Sequence, residues 1–93
     1  MTRRLLIAIP AFNEATTVEG VIAEIREVVP EAAVIVVDDG SKDATARVAD
    51  RAGATVLQLS FNVGVGGAMR TAFLLALRNN YERVIQVDAD GQH

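Results

Sequence analysis

Five carboxylates, Glu14, Asp38, Asp39, Asp88 and Asp90, each stand just behind a short apolar run. They are the residues best suited to chemistry. Without these five the net charge of −3 would be +2, so the acidity of the chain is local. Carboxylates gathered at one place repel, and a proton or a cation relieves the repulsion. Carboxylate oxygens suit Mg²⁺ or Mn²⁺, above all where substrate phosphates complete the shell. A divalent ion would also offset the acids against a diphosphate. The expected chemistry is metal-assisted binding of a phosphate ligand rather than capture of a cation.

The other motifs are read against plainer alternatives. Asp88 and Asp90, at i and i+2, share one side of an extended segment. Asp38 is expected to hold the following loop by accepting backbone N–H bonds. Asp39 is less easily explained that way and is free for a base or ribose. Asp43 reads as a helix N-cap. The run Gly64-Val65-Gly66-Gly67 fails the dinucleotide pattern, because Met69 stands where the last glycine belongs and the run follows the third strand. It reads as close packing at a helix start, with its N–H groups available to a phosphate as the alternative. Arg70 reads as a surface residue. Lys42 lacks the glycine context of a P-loop. No function is assigned to His93. There is no cysteine, which excludes disulfides and thiol chemistry.

The elements that must position these residues follow from periodicity. Leu5–Ile9, Ala33–Val37, Thr55–Leu59 and Arg83–Val87 are short apolar, β-branched runs and read as strands. Residues 16–29 carry apolar side chains at helical spacing, with Asn13, Thr16 or Thr17 as cap and Pro30 as stop. A second helix is expected from Asp43 to Ala52, closed by Gly53, and a third from Ala68 to Asn79. Strands alternating with helices imply a parallel sheet covered on both faces, a Rossmann-like three-layer α/β fold. With 93 residues and 51% hydrophobic content, the chain is one globular domain and not a disordered one. Its acidic balance argues against nucleic acid. No secretory segment or membrane span is expected, since Pro10 ends the first apolar run after Ile9.

Right-handed crossovers and a strand order of 3-2-1-4 would put the first two helices on one face and the third alone on the other. The third helix, with six consecutive apolar residues from Ala72 to Leu77, is then expected to be the most buried. That order also brings the ends of strands 1, 2 and 4 side by side at the switch point, where ligands of open α/β sheets bind. Strand 4 is expected at an exposed edge, which invites a homodimer through strand pairing.

Four segments carry a family resemblance. They are Ile9-Pro10-Ala11-Phe12-Asn13-Glu14, Val36 through Thr45, Asn62 through Ala68, and Val87-Asp88-Ala89-Asp90-Gly91-Gln92-His93. Together they resemble the family 2 glycosyltransferases of the GT-A fold, in particular the dolichyl- or polyprenyl-phosphate mannose synthase-like branch. Gly91 and Val65 depart from the residues common in that branch.

The resemblance implies that Pro10, Phe12 and Glu14 line a nucleotide pocket, that Asp39 binds base or ribose, and that Asp38 is structural. Asp88-Ala89-Asp90 would be the family's Asp-x-Asp, holding Mg²⁺ or Mn²⁺ and the diphosphate of a GDP- or UDP-linked sugar, with Gln92 as a further metal ligand. It implies inverting transfer of a hexose to an acceptor such as a polyprenyl phosphate, in a cytoplasmic protein associated with the cytoplasmic face of the membrane. It further implies that residues 1–93 are the donor-binding half, with the general base and acceptor segments beyond His93 and no catalytic base among these residues. The alternatives are a nucleotide-binding module without catalysis and a haloacid dehalogenase-type phosphatase. The phosphatase pattern wants Thr where Gln92 stands and places its Asp-x-Asp after the first strand.

Overall fold

The computed structural model describes residues 4–90. Chain order is β1 (Leu5–Ala11), α1 (Val18–Val28), β2 (Ala33–Asp38), α2 (Thr45–Arg51), β3 (Thr55–Gln58), α3 (Gly64–Arg78) and β4 (Arg83–Gln86). The four strands are parallel in the order β3-β2-β1-β4, the order considered above. The register sets Ala11 beside Asp38 and Ala8 beside Gln86. Pairing runs on past the strand ends, with Asp39 N–H donating to the Ala11 carbonyl at 2.8 Å and Val87 N–H to the Ala8 carbonyl at 3.1 Å.

Alternation along β1 and β2 feeds two cores. Ile7, Ile9, Val34 and Val36 pack with Val18, Val21, Ile22 and Ile25 of α1 and Ala49 of α2. Leu6, Ala8, Ile35 and Val37 pack with Ala68, Met69, Ala72 and Ala76 of α3. Helices therefore divide two and one between the faces, as expected.

The expectation that α3 is the most buried helix fails. Phe73, Leu74 and Leu77 are 49%, 58% and 75% exposed. Six consecutive residues span more than one and a half turns, so they cannot all face one sheet. The stripe that does face it is mostly alanine, and α1 buries the larger side chains. Helix α3 also begins at Gly64 rather than Ala68. Among the described residues, no helix is long and apolar enough to cross a membrane. Strand β4 is an edge of the sheet, as anticipated.

Candidate functional site

The carboxyl ends of β1, β2 and β4 lie at one rim because those strands are neighbours. A cavity of about 320 Å³ opens there, lined by Pro10, Phe12 and Glu14 from one side and Asp88, Ala89 and Asp90 from the other, with Val65 of α3. Six of the expected site residues thus share one cavity. Ala89 is buried between exposed Asp88 and Asp90, and residues 89–90 form a turn beyond the end of β4 rather than the extended segment expected. Thr17 Oγ1 lies 2.7 Å from the Ala89 carbonyl and 3.0 Å from Glu14 Oε2. Its single proton goes to one of them, and either bond ties the start of α1 to the rim. Gln92 lies outside the described residues.

Asp38 and Asp39 are buried and both hold loops. Asp38 Oδ1 accepts the Ser41 N–H at 3.1 Å, the role expected of it. Asp39 is not in the cavity lining. Its Oδ1 accepts Val63 N–H at 2.8 Å, and its Oδ2 accepts Gly64 N–H at 2.8 Å and Asn62 Nδ2 at 3.0 Å. A buried carboxylate thus supplies acceptors to the orphan N–H groups at the start of α3, where the helix dipole also favours negative charge. This explains why a glycine-rich segment, costing roughly 1 kcal/mol per glycine against alanine, still begins the helix. Asp39 therefore resembles Asp38 in duty, contrary to the expected contrast. A carboxylate has about four acceptor sites, so these three bonds do not exhaust it.

The glycine run is only partly a packing device. A Cβ on Gly67 would meet Val63 Cγ2 at 2.7 Å, whereas Gly64 and Gly66 face open space. Gly64 is required by its φ of +88° instead. Arg70 is exposed, as expected.

The expected cap of α1 is absent, whereas Asp43, one residue before the formal cap position of α2, accepts the N–H of its first residue, Thr45. Helix α1 starts on Thr17 and α2 on Ala44, neither with a side-chain cap bond. Asn13 and Asp43 are used between the loops. Asp43 Oδ1 accepts the Thr45 hydroxyl and, at 3.0 Å, the Thr45 N–H, while Oδ2 accepts Ala15 N–H at 3.2 Å. The Thr45 hydroxyl bond holds the Asp43 carboxyl below the usual carboxylate range; burial opposes this, and the Thr45 and Ala15 N–H groups add to the lowering. A lowered folded-state value means that folding favours the charged form. That contribution is present above about pH 4 and is lost as pH falls through the lowered value. Thermal melts are expected to show Asp43→Asn less stable than wild type near neutrality, the gap closing in acid. A gap that persisted in acid would contradict this account of Asp43.

Sequence reading missed Thr45. It is fully buried, and its hydroxyl accepts Glu14 N–H at 2.9 Å. The available signal was three oxygen-bearing side chains at alternate positions, Ser41, Asp43 and Thr45.

Among the described residues, no three of His, Cys, Asp and Glu gather to hold a metal. Two exposed carboxylates at a cavity mouth fit a hydrated Mg²⁺ or Mn²⁺, which uses one or two protein carboxylates and takes other ligands from water and phosphate.

The sequence and the fold have counterparts in known proteins. Residues 6–93 match the family model described as glycosyl transferase family 2. The undecaprenyl-phosphate mannosyltransferase of Micrococcus luteus is 37% identical over 95 residues, covering 97% of this chain and 39% of the relative. The polyprenol monophosphomannose synthase of Mycolicibacterium smegmatis is 32% identical over 98 residues, covering 99% and 37%. This chain thus spans about two fifths of the length of these curated relatives. Among solved structures, glucosyl-3-phosphoglycerate synthase from Mycobacterium tuberculosis, in complex with Mn²⁺, uridine diphosphate and glucosyl-3-phosphoglycerate, superposes with a TM-score of 0.80 at 28% identity, covering 94% of this chain and 33% of that one. Mannosyl-3-phosphoglycerate synthase from Rubrobacter xylanophilus gives 0.78 at 31%, covering 98% and 32%. With the family model covering nearly the whole sequence and the strand order shared with these structures, the chain belongs to glycosyl transferase family 2.

Proposed function

We propose that residues 1–93 form the donor-binding half of a metal-dependent, inverting glycosyltransferase that moves a hexose from a GDP- or UDP-linked sugar to a polyprenyl phosphate. The observation that carries this reading is the rim cavity, in which Pro10, Phe12 and Glu14 face Asp88 and Asp90. Its support from relatives is the polyprenyl-phosphate chemistry in their names and the Mn²⁺ and uridine diphosphate in a neighbour's complex.

Each residue has a role in this reading. The half-exposed ring of Phe12 offers an apolar face to a base or ribose. Glu14 accepts a hydroxyl hydrogen bond. Asp39 uses its remaining acceptor site for the nucleoside. Asp88 and Asp90, with Gln92, hold Mg²⁺ or Mn²⁺. The ion supplies charge stabilisation to the leaving diphosphate. An acceptor phosphate is already anionic, so it attacks without a strong base. The acceptor segments belong to the rest of the protein, these residues alone turn over no donor, and the whole protein works at the cytoplasmic face of a membrane.

Calorimetric titration of the chain with UDP and with GDP, each with and without Mn²⁺, tests the proposal. One nucleotide is expected to bind, and to bind more tightly with Mn²⁺. Binding indifferent to metal in both series, or no binding in either, overturns it.

A further inference from the structure

Three consecutive backbone N–H groups of the β1–α1 loop are each taken by a different side chain, two from the β2–α2 loop and one from the first residue of α2. Asn13 N–H donates to Ser41 Oγ at 2.8 Å, Glu14 N–H to Thr45 Oγ1 at 2.9 Å and Ala15 N–H to Asp43 Oδ2 at 3.2 Å. One bond returns, from Lys42 N–H to Asn13 Oδ1 at 2.9 Å. The Thr45 hydroxyl donates onward to Asp43 Oδ1, which fixes its lone pairs toward Glu14.

We propose that Ser41, Asp43 and Thr45 are positioning residues for the nucleotide, presetting the Pro10–Glu14 wall through its backbone; this rests on the nucleotide-binding reading above. None of the three lines the rim cavity, and Thr45 is fully buried, so none acts by touching the ligand. What they hold is the segment between the two wall residues that need a defined direction. Asn13 sits at φ +55°, a left-handed conformation that non-glycine residues disfavour. Its N–H and its side-chain carbonyl are both held by the β2–α2 loop, which keeps that conformation and with it the turn between Phe12 and Glu14.

Water would satisfy the N–H groups of an exposed loop equally well. Here they are given to three side chains, of which Asp43 also accepts the first N–H of α2 and Thr45 is fully buried, so the bonds are built into the fold. A loop held before the ligand arrives has less freedom to lose on binding, which is the source of affinity in a preorganised site. Thr17 Oγ1 is within reach of both Glu14 Oε2 and the Ala89 carbonyl, and its one proton bonds one of them at a time.

The test compares Thr45→Val, which removes the acceptor for Glu14, with Thr45→Ser, which restores it. Ile25→Val, in the α1 core away from the rim, controls for lost stability. Each is titrated with UDP and GDP in the presence of Mn²⁺, well below its melting temperature. Thr45→Val is expected to weaken nucleotide binding about 5-fold or more. Thr45→Ser is expected to bind as wild type does, and Ile25→Val to bind unchanged despite a lower melting temperature. Should Thr45→Val not fold, Ser41→Ala at its half-buried position takes its place in the comparison. Equal binding by wild type and the hydroxyl-deleted variant, or equal loss in Ile25→Val, overturns this inference alone. Absence of nucleotide binding by the wild type overturns the functional reading, and this inference with it.

Discussion

Gly40→Ala is expected to cost about 3 kcal/mol of stability, the sum of backbone strain and a collision. Gly40 has φ +77°, a region that an alanine enters only with strain. The collision is the larger part. A Cβ at this position would lie 2.7 Å from Asn62 N and 2.7 Å from Phe61 C, both backbone atoms. No rotamer change relieves that contact, so the loop after β2 and the segment before α3 must part. Gly64→Ala is the natural control, because its φ is +88° but its Cβ would face open space. It carries the strain alone, about 1–2 kcal/mol. Urea unfolding of the two variants reads the difference as separate midpoints at an unchanged slope. Equal losses would show that the loop contact is not as tight as described.

Asp39→Ala is expected to cost a similar amount, about 3 kcal/mol, for a different reason. It strands two backbone donors, Val63 N–H and Gly64 N–H, and removes the negative charge from the start of α3. The effect should be local as well as global. Amide exchange across residues 63–67 is expected to accelerate more than exchange in α1, since the first turn of α3 has three glycines and little else to hold it. Uniform acceleration over the whole chain would mean that Asp39 supports the core generally rather than this turn.

These two sites also mark what sequence can and cannot disclose. The sheet was legible because β-branched apolar runs alternate with helical periodicity, and right-handed crossovers leave few layouts. The meeting of Glu14, Asp88 and Asp90 at one rim followed from strand order alone. What stayed hidden depends on contacts between loops far apart in sequence. Propensity argues against a helix through Gly64, Gly66 and Gly67, and only the buried Asp39 carboxylate reverses that. Asp43 has the type and place of a helix cap and does accept the first N–H of α2, but its bonds to the Ala15 N–H and the Thr45 hydroxyl depend on how the loops meet. The apolar run of α3 suggested burial, but hydrophobicity without direction does not say which side of a helix meets the sheet.

The central claim is that the Asp88–Asp90 rim, facing Pro10, Phe12 and Glu14, is where a divalent ion and a nucleotide diphosphate bind together. The most direct measurement is paramagnetic broadening of backbone amide signals by Mn²⁺ in the presence of the nucleotide that binds. Broadening is expected to be strongest at residues 88–90, to extend to Phe12, Glu14 and Val65 across the cavity, and to be weaker at the far end of α2. Broadening centred instead on Asp43 and on Asp50 of α2, or identical with and without nucleotide, would contradict the assignment.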